Sequence, residues 1–367
     1  MKGETSEYVG PNAAFLYSES PSAYDPFVRG RFPVGVRTIH AMDRVRDRMF
    51  PCEVWYPAST QHAGQDLANE TRDSFNAAFP PNAKARSQMA VRDATAESGT
   101  YPLIIFSHSS GGDRRQSTFL CTHLSSHGYV VAGMNHSEIV APELARKQDA
   151  SQEERAAGAK AWIANRVPDI QFLLDHLLGT AGLETKIDPT RIGIVGHSFG
   201  GWTALATPDL DARIRAVAAL APAGASQRKP GILPATLSFA WGRDVPTLYL
   251  VAENDTSLPL AGMYELFERT PATKQMVILR RSDHLHFMDD VAELHEAVRR
   301  LPYPGADEMR PISELCSGEQ AYLFSRGLTV CHMDATLKEQ EAAQRFGAGD
   351  IQADLAKRGI EVVVHRR

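Results

Sequence analysis

Three residues of this sequence, Ser198, Asp255 and His284, are of the types and in the order that nucleophilic catalysis requires. Ser198 is the middle of Gly196-His197-Ser198-Phe199-Gly200, set between the apolar run "RIGIV" and a helix-like segment. A serine at the tip of a tight strand-to-helix turn is lifted above the sheet. Glycines two before and two after allow the close packing that such a turn needs, and the helix that follows directs its unpaired N–H groups toward the oxygen. The hydroxyl remains a poor nucleophile until a base takes its proton, and that base must be oriented by an acid. Asp255 lies just past the apolar run "LYLVA", and His284 lies in the loop after "VILRR". The chemistry implied is attack of an activated serine on a carbonyl carbon, which also needs donors for the developing oxyanion. The backbone N–H of Phe199, immediately after the serine, is one. The other comes from "FSHSSGG", through Ser110 or its neighbour Ser109.

Each assignment has a rival. His286 is the alternative base, and His284 is preferred because it lies nearer the end of its strand. Glu253 is the alternative acid but belongs to the strand itself, and Asp244 precedes that strand, at the wrong edge of a sheet. In "HLHFMDD", His284, His286, Asp289 and Asp290 offer a metal-dependent alternative. The two histidines share a face only on an extended segment, and the two aspartates read as the acidic start of a helix. No metal and no cofactor is therefore expected. A non-catalytic binding protein is a third class, weighed down by all three triad positions being filled. Candidate pocket residues are Ser109, Trp202 and Phe287, with Phe75, Phe79 and Met89 further upstream.

These residues must be held by a scaffold, and eight apolar runs are available to form it: 36–42, 50–57, 102–108, 129–136, 191–198, 214–222, 246–255 and 274–281. From the third onward they are nearly continuous in Val, Ile and Leu, as strands covered on both faces must be. The first two read as an antiparallel start. Helix-like segments at 115–127, 152–178, 199–207, 260–269 and 288–300 alternate with the runs, and Val167, Ile170, Leu173, Leu174 and Leu177 recur at helical spacing. The alternation predicts an α/β fold: a mostly parallel, eight-stranded, doubly wound sheet with helices on both faces and its site at the carboxyl ends of the strands. We read 1–367 as a single domain with a core at about 33–300. The polar insertion 58–100 is too long for an idle loop and is either a substrate-covering flap, the preferred reading, or partly disordered. A helical C-terminal extension, 301–367, packs on the domain or joins a homodimer.

Composition narrows the partners. Of 367 residues 43% are hydrophobic, enough for a sizeable core, and the net charge of −5 is spread along the chain without a basic stripe. Nucleic acid is not an expected partner; a small-molecule ester is. No apolar run approaches a membrane span, and the first residues lack the apolar centre of a secretory signal, so a cytoplasmic protein is expected. Cys52, Cys121, Cys316 and Cys331 lack metal-type spacing and read as buried thiols, with a Cys316 to Cys331 bridge as the alternative.

Taken together, "FPVGVRTIHAMDR", "CEVWYP", "PLIIFSHSSGG", "LSSHGYVVAGMNH", "RVPDIQFLLDHLL", "GHSFGGWTA", "VAENDTSLP" and "DHLHF" resemble the alpha/beta-hydrolase superfamily. The branch they resemble contains the platelet-activating factor acetylhydrolases and dienelactone-hydrolase-like esterases. The resemblance implies an alpha/beta-hydrolase fold and a cofactor-free serine esterase, with amidase, lactonase or acyltransferase activity as alternatives on the same triad. It makes Ser198 the nucleophile, His284 the base, and Phe199 and Ser110 the oxyanion donors. The sequence departs from the branch in two respects. Acetylhydrolases carry their acid after the strand that follows the nucleophile helix, where this chain reads "AVAALAPAGAS". Dienelactone hydrolases use cysteine where this chain has Ser198.

Overall fold

The computed structural model describes residues 24–76, 85–147, 149–179, 186–226, 231–301 and 305–367. Its strands, in chain order, are β1 (Val34–Asp43), β2 (Arg48–Pro57), β3 (Ser74–Asn76), β4 (Ala85–Ser87), β5 (Val91–Arg92), β6 (Thr100–Ser107), β7 (Val130–Met134), β8 (Lys186–His197), β9 (Ile214–Leu220), β10 (Thr247–Ala252), β11 (Lys274–Leu279) and β12 (Val362–Arg366). Ten of them form one sheet in the order β12-β11-β10-β9-β8-β6-β7-β2-β1-β5, while β3 and β4 make a separate hairpin. From β7 across to β11 all neighbours are parallel. The antiparallel start is β1 on β2 and β2 on β7.

The apolar runs follow from coverage of both faces. Every residue of β10 is buried, and alternate residues of β6 enter opposite cores: Leu103 and Ile105 one, Ile104 and Phe106 the other. Helices α3 (Gln152–Gly179), α4 (Phe199–Leu210) and α5 (Leu260–Arg269) supply the first core through Ile170, Leu174, Leu205 and Leu266. Helices α1 (Thr118–Ser126) and α7 (Gly318–Leu337) supply the second through Leu120, Leu124, Phe324 and Leu328. Each such fully buried side chain contributes about 1.5–3 kcal/mol. The remaining helices are α2 (Ser137–Val140), α6 (Val291–Val298), α8 (Glu341–Ala348) and α9 (Ile351–Ala356).

The sheet has two strands more than the eight expected, both at its edges. β5 is two residues long, too short to show a period. β12 is the run "VVVHR" at the end of the helical extension, paired antiparallel with β11 from Leu279↔Val362 to Gln275↔Arg366. The extension also builds the core itself: α7 lies so close to β8 that a Cβ on Gly193 would meet Met333 Sδ at 2.9 Å. The described part of the insertion runs along β1 through β5, and its hairpin reaches the start of α6 by the Arg86–Asp290 ion pair at 2.5 Å. Phe79 lies outside the described residues. All four cysteines are buried free thiols, so Cys316 and Cys331 are not bridged. No helix among the described residues is long and apolar enough to cross a membrane.

Candidate active site

The carboxyl ends of β6, β7, β8, β10 and β11 lie along one edge of the sheet; Ser109 and Ser110 follow β6, Ser198 follows β8, Asp255 follows β10 and His284 follows β11. Ser198 comes directly after β8 with φ 59° and ψ −116°, a conformation that costs a non-glycine residue energy and persists only where its surroundings enforce it. Three backbone hydrogen bonds do so: Ser198 N–H donates to Leu220 C=O (2.9 Å), and Ser198 C=O accepts from Trp202 (3.0 Å) and Ala223 (2.9 Å). The flanking glycines are steric requirements of the same turn. A Cβ on Gly196 would sit 2.0 Å from Gly200 O, and one on Gly200 would sit 1.9 Å from Ser107 O. Ser198 itself is half-buried, so its hydroxyl side stays reachable.

His284 opens a single helical turn after β11, and its Nδ1 lies 2.7 Å from Asp255 Oδ2. Asp255 Oδ1 accepts from the backbone N–H groups of Ser257 (2.9 Å) and Leu258 (2.7 Å), which fixes the carboxylate plane. With Nδ1–H donating to Asp255, the free Nε2 of neutral His284 is a proton acceptor. Burial disfavours charge on His284, but the Asp255 charge and hydrogen bond, with the charge of Asp283, outweigh it and raise its pKa above the ordinary 6.5. Asp283, buried beside Asp255, is itself pushed up to about 6.

A chain of side chains connects the three loops of the site. His197 Nε2–H donates to His284 C=O (2.9 Å), and its Nδ1 accepts from Gln116 Nε2 (3.0 Å). Gln116 Oε1 in turn accepts from Ser109 N–H (2.9 Å) and Ser109 Oγ (2.6 Å). One donor and one acceptor suit a neutral imidazole, and burial followed by the charge of His284 holds the His197 pKa well below its ordinary value. Ser109 N–H is taken by Gln116, whereas the N–H groups of Ser110 and Phe199 have no acceptor among the described residues.

The rivals are engaged elsewhere. His286 is fully buried, accepting from Asp283 N–H (3.0 Å) and donating to Cys316 C=O (3.2 Å), and burial lowers its pKa to about 4. Glu253 accepts from Arg281 N–H (2.8 Å), and Asp244 accepts from Thr273 at the opposite edge of the sheet. Asp289 caps the start of α1 through Thr118 N–H (2.9 Å) and Phe119 N–H (3.1 Å), which ties the His284 loop to that helix. Among the described residues no group of three His, Cys, Asp or Glu side chains could hold a metal ion.

Phe287 is fully buried below His197, and Trp202 is 5% exposed, with its indole N–H on Thr236 C=O and its ring stacked on Phe199. Ser109 is 7% exposed and held by Gln116. A cavity of about 370 Å³ does open beside the acid, lined by Asp255, Thr256, Pro259, Leu260 and Arg310.

Sequence reasoning passed over one further array. Ser107, His136 and Asp169 are joined by hydrogen bonds, Ser107 Oγ to His136 Nε2 at 2.9 Å and His136 Nδ1 to Asp169 Oδ2 at 3.1 Å, and all three are fully buried. Arg166, also fully buried, donates to Ser107 Oγ (3.3 Å).

A doubly wound parallel sheet with a serine elbow after one central strand, and an acid and a histidine after later ones, defines an alpha/beta-hydrolase. The chain has that fold, and the proteins it is similar to are serine esterases. A family model for platelet-activating factor acetylhydrolase, isoform II, matches residues 33–171. The chain is 26% identical over 223 residues to a platelet-activating factor acetylhydrolase of Cavia porcellus, covering 52% of this chain and 48% of that protein. It is 24% identical over 205 residues to cutinase est1 of Thermobifida alba, covering 53% and 56%. The chain thus spans about half the length of these curated relatives. A ferulic acid esterase from Streptomyces cinnamoneus has the same fold, with a TM-score of 0.59 at 22% identity over 84% of this chain and 92% of that one.

Proposed function

We propose that the protein is a cofactor-free serine hydrolase of small-molecule carboxylic esters, with Ser198 as nucleophile, His284 as base and Asp255 as the acid that orients it. One observation carries the reading: the His284–Asp255 pair, whose carboxylate is locked by two backbone amides, is bonded through His197 to the strained turn that presents Ser198. His284 Nε2 takes the hydroxyl proton as Ser198 Oγ attacks the ester carbonyl. The oxyanion is received by the N–H groups of Phe199 and Ser110. Collapse of the intermediate expels the alcohol, which takes its proton from His284. A water molecule deprotonated by the same histidine then releases the acid and restores Ser198. The similar acetylhydrolase and cutinase support an ester as the bond cleaved.

The test is the mass of the intact protein and its peptides after exposure to a fluorophosphonate probe. A single adduct on the Ser198 peptide, absent from Ser198→Ala, is the expected result, followed by turnover of p-nitrophenyl esters. Folded protein that takes up no adduct and hydrolyses no ester sinks the proposal.

A further inference from the structure

We infer that Arg166 is a positioning residue for the oxyanion hole, one buried guanidinium bracing both backbone segments that supply its donors. The inference rests on the esterase reading above and adds to it a residue that no part of the triad touches. Arg166 projects from α3 and is fully buried. Its Nη1 donates to His108 C=O at 2.7 Å and its Nη2 to Ser109 C=O at 3.3 Å. The guanidinium lies 4.3 Å from the centre of the Phe199 ring, and its charge is balanced by Glu138, which accepts from Nε at 2.8 Å.

The geometry gives these contacts a direction. A trans peptide holds its C=O and the N–H of the next residue in one rigid plane, pointing in opposite directions. The Ser109 carbonyl and the Ser110 N–H are two ends of the same plane, so drawing the carbonyl toward Arg166 turns the N–H away from α3. Two further donors, His108 Nδ1–H at 2.7 Å and Gly112 N–H at 3.2 Å, reach the same carbonyl, so with Arg166 three bonds fix the tilt of that plane. The other donor residue, Phe199, is anchored by its ring under the same guanidinium. A buried guanidinium is costly to desolvate, and an apolar side chain would fill the space more cheaply. Arg166 therefore adds orientation, which its planar fork supplies and a lysine ammonium does not.

The test compares wild type with Arg166→Lys, Arg166→Met and Arg166→Met/Glu138→Gln, the last removing the carboxylate that the single Met variant strands. For each, kcat and KM on p-nitrophenyl acetate, the inhibition constant of a trifluoromethyl ketone that forms a hemiketal oxyanion on Ser198, and Tm are measured. Misaiming one oxyanion donor is expected to lower kcat about 100-fold, with KM within about twofold and ketone affinity falling by the same factor as kcat. Arg166→Lys falls between, and the double variant keeps the kinetic loss while melting near wild type. A merely structural role moves Tm and not the paired loss of kcat and ketone affinity. A folded double variant with wild-type kcat and ketone affinity, or a loss confined to KM, overturns the inference. Should both Met variants fail to fold, Arg166→Lys decides: tenfold or greater losses in kcat and ketone affinity at constant KM support it, and wild-type values overturn it. Wild type that is inactive and unlabelled by fluorophosphonate overturns the esterase reading and this inference together; labelled, active wild type beside an unaffected variant overturns this inference alone.

Discussion

Among the described residues, two sets of serine, histidine and aspartate invite comparison, and the more completely bonded one is the less suited to catalysis. Ser107, His136 and Asp169 form an unbroken line of hydrogen bonds with no exposure to solvent. In the other set only the His284–Asp255 bond is closed, while Ser198 stands half-buried on a strained turn. The surroundings set opposite proton affinities. Burial, together with the charge of Arg166, pushes the His136 pKa far down, whereas Asp255 and Asp283 overcome the burial of His284 and raise it. Ser107 Oγ also accepts from Arg166, which draws electron density from the atom that would have to attack. Residue types alone do not make a nucleophile; access, a basic partner and an oxygen free of positive charge do.

Exchanging the two serines for alanine tests that contrast most sharply. Ser198→Ala should lower kcat/KM on a p-nitrophenyl ester by at least about 10⁴-fold, the scale seen when a serine nucleophile is removed. Ser107→Ala, made in parallel, should cost less than about tenfold and lower Tm, since it opens a buried hydrogen-bond line. Comparable losses in the two variants would erase the distinction between the sets.

The two acids give the next largest separation. Asp255→Asn keeps the shape but favours the wrong imidazole tautomer, and a loss of about 10⁴-fold in kcat is expected. Asp169 accepts from Arg46 Nη1, His136 Nδ1, Ser137 N–H and Ser137 Oγ, so Asp169→Ala strands four donors on three residues and should cost about 3 kcal/mol in urea unfolding. Per folded molecule it should remain active within about tenfold. Among the histidines, His284→Ala should be nearly inactive, while His286→Ala, which loses bonds to Asp283 and Cys316, should show its effect in Tm. An active His284→Ala enzyme would move the base to His286.

How much of this was legible in the sequence depended on the range of each interaction. The parallel strands announce themselves as apolar runs, and Ser198, Asp255 and His284 each follow such a run, so local pattern suffices to find them. The tail was read as a helical extension because α7 buries Ser325, Gly327 and Thr329 among its apolar positions, which dilutes the stripe that would mark a core helix. The supporting side chains were invisible for a different reason. Gln116 meets His197 across 81 positions, His197 meets His284 across 87, and Arg166 reaches His108 across 58. No local spacing encodes a contact that exists only once the sheet has assembled. By sequence Asp289 reads as an acid at the start of the helix that follows it, whereas its carboxylate caps α1, 171 positions away.

The smallest effect distinguishes the two sets by pH. His284 must be neutral to accept the Ser198 proton, so kcat/KM should be constant at high pH and fall with unit slope as pH drops through the pKa of His284. Because the charge of Asp255 outweighs the penalty of burial, the midpoint should lie above the ordinary 6.5, and protonated His284 should already be abundant at pH 6. Removing that charge must move the midpoint down, so the residual activity of Asp255→Asn should persist to lower pH than that of wild type. His136 is held neutral well below 6.5 and should add no limb of its own. The profile is read from pH 5 to pH 9 at saturating and subsaturating ester, with Asp169→Ala as the control that should leave the midpoint in place. A flat profile from pH 8 to pH 5 would remove His284 as the base. A midpoint that moves in Asp169→Ala but not in Asp255→Asn would assign the base to the buried set instead.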